Sequence, residues 1–524
     1  MTRRLGSMAA VAAVAWAALQ PTVVAAQEAG VARSSAVLEL DHFVDGKGEA
    51  VAFDPLYETT FGTEWRAPRY GWAVLEMALL LAVGTAGYGV YVAAIGEGED
   101  GPGWPERLAA RFDNDQFSTN FVLHPVAGAA YHGFARTLGL GVPASFAYGA
   151  LSSATWEFAL EVGRRASLND LVVTPFAGLA VGEFLFHLMR YLNSAPGGGG
   201  RGQKAAAWTL GLPFAAHDAI YDFREPPPVP PDDLGLSSAY WHRFRLGYGL
   251  ARLTNDEDRS DVLHGPALEA ELVAMPGFLR PGRISTTFAH GNFTDGRLRL
   301  AFDGKGLAEA EVWTGATLAG YYTQDVRREH GRRWGHAAMV GLHSGFRFAE
   351  RNLLDRDDRY AIVNLPGPAG EVRFAWRDVW LRFGAEAHLD VAGVRPAALT
   401  RYVGLRGNAG LKTVLRESGY LYAWGSSGRA RVALELYGCE LGAELFYGWY
   451  GSIEGVDELQ ERVDREAPSH DQVLEPRGWV GCTPPGGVLD VRLEVSGIRR
   501  WGEMGDVEAT RANRRFGAAV GAKF

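Results

Sequence analysis

FGAAVGAKF, residues 516–524, sets Phe516, Ala518, Val520, Ala522 and Phe524 on one side of an extended chain and Gly517, Ala519, Gly521 and Lys523 on the other. A repeat of two is the mark of a strand with one apolar face. The same alternation recurs upstream. Val432, Leu434 and Leu436 alternate with Arg431, Ala433 and Glu435, and Leu441, Ala443, Leu445, Tyr447 and Trp449 with Glu440, Gly442, Glu444 and Phe446. Leu489, Val491, Leu493 and Val495 alternate with Asp490, Arg492, Glu494 and Ser496, and Leu381, Phe383, Ala385 and Ala387 with Arg382, Gly384, Glu386 and His388.

A soluble sandwich also alternates, with its polar face in water. Three features favour a transmembrane barrel instead. Many strands reach the ten or so residues that a tilted strand needs to cross a bilayer. Trp and Tyr gather towards strand ends at Tyr240-Trp241, Tyr321-Tyr322, Trp449-Tyr450 and Trp501. The last strand ends on Phe524, which resembles the signal that outer-membrane barrels present to their assembly machinery, the expected partner during biogenesis. The region from residue 238 to 524 has room for about 12 antiparallel strands, with 10 to 14 compatible. Its polar face carries both signs, including Arg429, Arg431, Glu435, Glu440, Glu444, Arg492 and Glu494. Mixed charge suits a narrow lumen closed by salt bridges rather than a wide diffusion pore.

The opposite end of the chain points to export. Arg3 and Arg4 precede an apolar run from Met8 to Leu19 and then Val24-Ala25-Ala26, the pattern of a cleavable signal peptide over residues 1–26. The residue after the expected cut is Gln27 rather than Cys, against a lipid anchor. A net charge of -9 offers no footprint for nucleic acid. The two cysteines, Cys439 and Cys482, exclude a disulfide scaffold and a Cys-rich metal site. They flank a connection centred near Val463, so antiparallel pairing of the neighbouring strands would allow one disulfide. Glycine at 67 residues and aromatics at 11% fit a barrel with aromatic girdles.

A proline run, Arg224 to Asp233, resists both helix and central strand and reads as a stiff linker. The expected organisation is an α+β chain: an N-terminal extension at 27–70, an apolar helical bundle at 71–223, a Pro-rich linker at 224–237 and the barrel at 238–524. Gly71 to Ile95 carries one charge, Glu76, and three further apolar stretches follow. The bundle is expected on the periplasmic side, docked against the barrel or partly inside it; an inner-membrane helical protein with a periplasmic β domain is the alternative.

Polar residues embedded in the apolar helices carry the remaining information. They include Asp113, Asp115, Asn120, His124, Tyr131, His132, Arg136, Glu157, Glu161, Ser167, Asn169, Asp170, Thr174, Glu183, His187 and Arg190. Asn120 and His124, Glu157 and Glu161, and Glu183 and His187 are each four apart, the spacing of one helix face. Ser167 to Asp170 reads as a capping box, Thr174-Pro175 as a helix restart, and Gly178 with Gly182 as a close-packing face. Glu157 with Arg164 or Arg165 reads as an ion pair.

The order and spacing of these residues resemble the bacterial domain of unknown function 3943 family, whose members are exported proteins of about this length. The resemblance rests on His124, Pro125, Gly128 and Tyr131, then Arg136, then Trp156, Glu157 and Glu161, then Ser167, Asn169, Asp170, Leu171, Thr174, Pro175, Gly178, Gly182 and Glu183. A looser similarity extends to VanZ-like proteins. Neither brings an established activity. Structural or envelope-organising work among outer-membrane lipids is the first functional reading. The second is a membrane-proximal enzyme in which His124, Glu157 and Asp170 supply a base, an orienting carboxylate and a second carboxylate for a lipid or cell-wall intermediate. No nucleophile motif such as G-x-S-x-G accompanies them. No cofactor is expected, and the three residues lack a diagnostic metal-ligand spacing.

Overall fold

A computed structural model describes residues 68–95, 109–161, 164–195, 200–210, 216–217, 219–220, 232–354, 356–456, 460, 462–484 and 486–524, with two short strands, Phe43–Val44 and Ala50–Val51. The expected signal peptide at 1–26 and the proline run up to residue 231 lie outside the described residues.

The period-two region forms thirteen strands. They are β1 (Trp241–Asn255), β2 (Ser260–Val273), β3 (Gly282–Phe288), β4 (Phe293–Asp303), β5 (Gly306–Glu329), β6 (Arg332–Leu353), β7 (Arg356–Trp376), β8 (Val379–Val394), β9 (Leu421–Leu436), β10 (Cys439–Ser452), β11 (Ser469–Cys482), β12 (Leu489–Met504) and β13 (Val507–Lys523). Each pairs antiparallel with its neighbours, β13 closes on β1, and β3 and β4 lie end to end along the long β5. The result is a closed twelve-strand barrel. At the seam Phe244 and Phe524 exchange both backbone hydrogen bonds, at 3.0 and 2.9 Å.

The alternation sorts side chains as a membrane barrel requires. Leu441, Leu445, Leu493, Val495, Phe516 and Val520 face outwards and are exposed, whereas Glu440, Glu444 and Arg492 face in and are buried. Inside, charges bond across the ring. Arg297 reaches Glu444 at 3.1 Å, Arg299 reaches Glu494 at 2.6 Å, Arg515 reaches Glu309 at 2.6 Å, and Arg347 pairs with Glu475. Both mouths are covered. The 274–281 connection turns Phe278 and Leu279 inward against Tyr322, held by Gln324, which accepts from the N–H of Leu279 at 2.9 Å. At the other end a short helix, Leu399–Arg406, packs Leu399 and Tyr402 on Met504 and Val507. Tyr322 therefore lies inside the lumen, not in the girdle the sequence suggested, because an extra residue at Thr317/Ala319 reverses the facing of β5.

Cys439 and Cys482 are directly opposed on β10 and β11 and joined in a disulfide.

The helical part comprises α1 (Tyr70–Ile95), α2 (His124–Thr137), α3 (Val142–Thr155), α4 (Asp170–Leu192) and α5 (Arg201–Leu210). Wide π turns at Thr119–Leu123 and Trp156–Leu160 lead into α2 and out of α3. The bundle lies on the outer wall of the barrel and not in the lumen, which the barrel's own charges and loops already fill. Phe117, Phe121, Val173 and Ala177 pack on outward-facing Phe346, Phe348, Ala361, Val363 and Tyr422, and Leu179 packs on Ala316 and Leu318. α1 and α4 are both long and apolar enough to cross a membrane. Much of α1 is bare, with Val74, Leu79, Val83 and Val90 exposed.

Candidate functional site

Two glycines bring the motif residues together. A Cβ on Gly128 would lie 1.9 Å from the carbonyl oxygen of Thr174, and one on Gly178 would lie 2.4 Å from the carbonyl carbon of Gly128. Backbone thus meets backbone where α2 crosses α4, as small-residue packing faces allow. Gly182 takes the ring of His132 in the same way. Pro175 is buried inside α4 instead of restarting a helix, because the helix already begins at Asp170. Of the Ser167–Asp170 capping box only one half forms: Ser167 Oγ accepts the N–H of Asp170 at 3.2 Å, whereas the N–H of Ser167 goes to Glu157.

At one end of α4 the polar residues converge on Asp113. Its Oδ1 accepts from Tyr422 at 2.7 Å and from Asn120 at 2.8 Å, and its Oδ2 accepts from Asn169 at 2.9 Å and Ser167 at 3.0 Å. Asn120 also donates to the hydroxyl of Tyr420 at 2.9 Å. Burial opposes ionisation of Asp113, yet the hydrogen bonds from Asn169, Tyr422 and Asn120 outweigh it and hold the carboxyl below the usual carboxylate range. Asp115 is raised by burial and by the charge of Asp113, while Arg164 pairs with it at 3.0 Å.

His124 and Asp170 come together at 3.4 Å, and the hydroxyl of Thr174 lies 3.4 Å from the other ring nitrogen. The His124 side chain is 20% exposed. Glu157 is buried and accepts the N–H of Ser167 at 2.8 Å. Glu161, across the π turn, faces Arg164 at 4.0 Å. Trp156 packs edge-on against Tyr88 of α1, and Tyr131 and Ala73 belong to the cluster that seats α1 on the bundle.

Midway along α4 lies a second node. Glu183, fully buried, receives Arg136 Nε and His132 Nε2, each at 2.6 Å, and His187 Nε2 lies 3.6 Å from its other oxygen. Arg136 and His187 then donate to the backbone carbonyl of His290 at 3.1 and 2.9 Å. His290 sits in the break between β3 and β4, where Gly291, at φ +65, leaves room for the Glu183 carboxylate 2.2 Å from where a Cβ would be. Tyr191, nearer the end of α4, bonds Asp232 at 2.6 Å and His242 at 2.9 Å.

Tyr420, Tyr422, His290 and Gly291 were not legible as site residues. They lie more than a hundred residues from the motif, and the sole local hint is the turn-like His290-Gly291-Asn292.

A closed antiparallel barrel with an apolar exterior, a charge-filled interior and a helical domain bonded to its wall is the class that this fold defines, an outer-membrane type of barrel. Residues 109–212 match the family model described as "Domain of unknown function (DUF3943)". No curated protein matches the chain. Similar solved structures include a NanC porin, 8% identical, with 52% of this chain and 98% of that one covered at TM-score 0.21. The translocator domain of the autotransporter NalP from Neisseria meningitidis is 10% identical, with coverages of 61% and 98% and TM-score 0.20. A Pseudomonas aeruginosa FadL homologue is 6% identical, with coverages of 55% and 91% and TM-score 0.20.

Proposed function

We propose that this protein resides in the outer membrane and that its helical domain rides on the barrel wall within the lipid, in a structural, envelope-organising role. The observation that carries the reading is where the motif residues bond. Asp113 and Asn120 bond Tyr420 and Tyr422, and Arg136 and His187 bond His290, so both polar nodes join helix to barrel. α4 has 23 residues, about 34 Å at 1.5 Å per residue, close to the hydrocarbon thickness of a bilayer. Lipid would then cover the exposed apolar faces of α1 and of the barrel. The lumen holds a cavity of about 50 Å³ walled by Arg299, Glu309, Arg347 and Glu475, which argues against a diffusion pore. Density separation of membranes tests the location: the protein should band with the outer membrane, and recovery in the inner membrane would end this reading.

A second reading is supported by one contact, the partly exposed His124 beside Asp170. There His124 acts as a base oriented by the carboxylate, on a lipid or cell-wall intermediate. The separating experiment is the set His124→Ala, Glu157→Gln and Asp170→Asn. Normal assembly with one shared change in envelope lipids, the same as in a deletion strain, supports catalysis. Unrelated stability losses without that change support architecture.

A further inference from the structure

Within the lumen, away from the helical motif, His343 of β6 and His388 and Glu386 of β8 offer ligand atoms that all lie within 4.8 Å of one another. The two histidines are buried. β7 runs between their strands, yet the rings meet across it because the intervening residue is Gly367, whose Cβ would stand 2.9 Å from His388 Nδ1. On the far side Gly315 of β5 clears the place of His343 Nε2, 2.6 Å from a Cβ there.

The wall is irregular at this level: β5 carries an extra residue at Thr317/Ala319, and β7 slips register against both neighbours around Leu365-Pro366-Gly367-Pro368. Bulges of this kind re-aim side chains and recur beside functional sites. Prolines also fit a strand where the ladder is already interrupted.

From this geometry we propose that His343, His388 and Glu386 form a binding site for a divalent transition-metal ion of the zinc type. His388 Nδ1 lies 3.1 Å from the carbonyl oxygen of Leu365, which accepts its proton and leaves the Nε2 lone pair facing the site. His343 Nδ1 is 3.3 Å from that Nε2. Two nitrogens bound at 2.0–2.1 Å to one tetrahedral ion stand about 3.3 Å apart. Glu386 Oε1 lies 4.0 Å from His388 Nε2, and its Oε2 is anchored by Arg429 at 3.0 Å, so a small turn of the carboxylate completes a three-ligand set with an open fourth position. Arg429 is shared with Asp295 at 3.3 Å and with Glu444, which Arg297 also holds at 3.1 Å. Without metal, the same two rings are joined by an N–H···N hydrogen bond.

The test uses the full chain in detergent, stripped with chelator and titrated calorimetrically with zinc ion. One zinc per chain is expected, with affinity at least tenfold lower in His343→Gln and His388→Gln variants that still shift on boiling in electrophoresis. No saturable binding in the parent, or undiminished binding in both variants, overturns the site. Should the variants fail to fold, X-ray absorption of the zinc-loaded parent decides: a shell with two imidazole nitrogens supports the assignment, and one without imidazole refutes it.

Discussion

Tyr422, on the outward face of β9, donates its hydroxyl to Asp113 at 2.7 Å across 309 residues of chain. The bond ties the segment leading into the helical motif to the barrel wall, and its worth can be measured. Tyr422→Phe keeps the ring but removes the hydroxyl that donates to Asp113, accepts from Asn120 at 2.7 Å and bonds Tyr420 at 3.0 Å, so the joint should weaken by at least about 1.5–3 kcal/mol. Limited proteolysis after Arg111 should quicken while the barrel itself still resists boiling-free detergent.

The same carboxylate predicts how the joint responds to acid. The folded pKa of Asp113 lies below its unfolded value of about 3.9, so its contribution is fully present above that pH and is lost as pH falls through the lower, folded value. The Asp113 share of the helical domain's proteolytic resistance, read as parent minus Asp113→Asn, should be flat from neutrality to about pH 4 and shrink below it. A difference between parent and Asp113→Asn that stays constant from about pH 7 to about pH 2 would remove Asp113 from the acid response.

Glu183→Gln leaves Arg136 buried beside two histidines without its carboxylate, a change that typically costs about 3–5 kcal/mol. Gly291→Ala attacks the same contact from the barrel side, placing a methyl group on Glu183 at a backbone angle that favours glycine. Both should detach the bundle, and a cross-link engineered between α4 and β5 should then form in lower yield. Unchanged yield in both variants would show that the node does not hold the domain.

Glu269 accepts Arg245 at 3.1 Å, Arg477 at 2.6 Å and Arg492 at 2.7 Å, with Arg297 at 3.6 Å. Glu269→Ala takes a shared carboxylate from four guanidinium groups at once and leaves Arg245, Arg297 and Arg477 with Asp490, Glu444 and Glu494. The temperature at which the electrophoretic shift disappears should drop by more than for Glu350→Ala, whose carboxylate is largely exposed and meets Arg359 at 3.7 Å.

The disulfide closes a loop of 43 residues, for which chain entropy gives about 4 kcal/mol. Cys482→Ser should lower barrel stability by up to that amount under oxidising conditions and by nothing once the parent is reduced. Two labelled thiols in the denatured, unreduced parent would remove the premise.

The barrel was written locally, since Leu441, Glu444, Leu493 and Arg492 declare their faces by alternation, and a pleated strand turns successive side chains to opposite sides. The motif was legible as well, because His124, Gly128, Gly178 and Glu183 stand at helical spacings that survive folding. Partnership across the ring was not legible. Which arginine meets which glutamate, as Arg515 meets Glu309, depends on strand number and register, and every lumen position offered several candidates of either sign. Irregularities hid the rest. One extra residue near Thr317 turned Tyr322 inward, and the slip about Gly367 let His343 meet His388. A period of two or 3.6 carries no record of where it is broken, so those contacts, and the seating of the helices on the wall, were decided by tertiary packing alone.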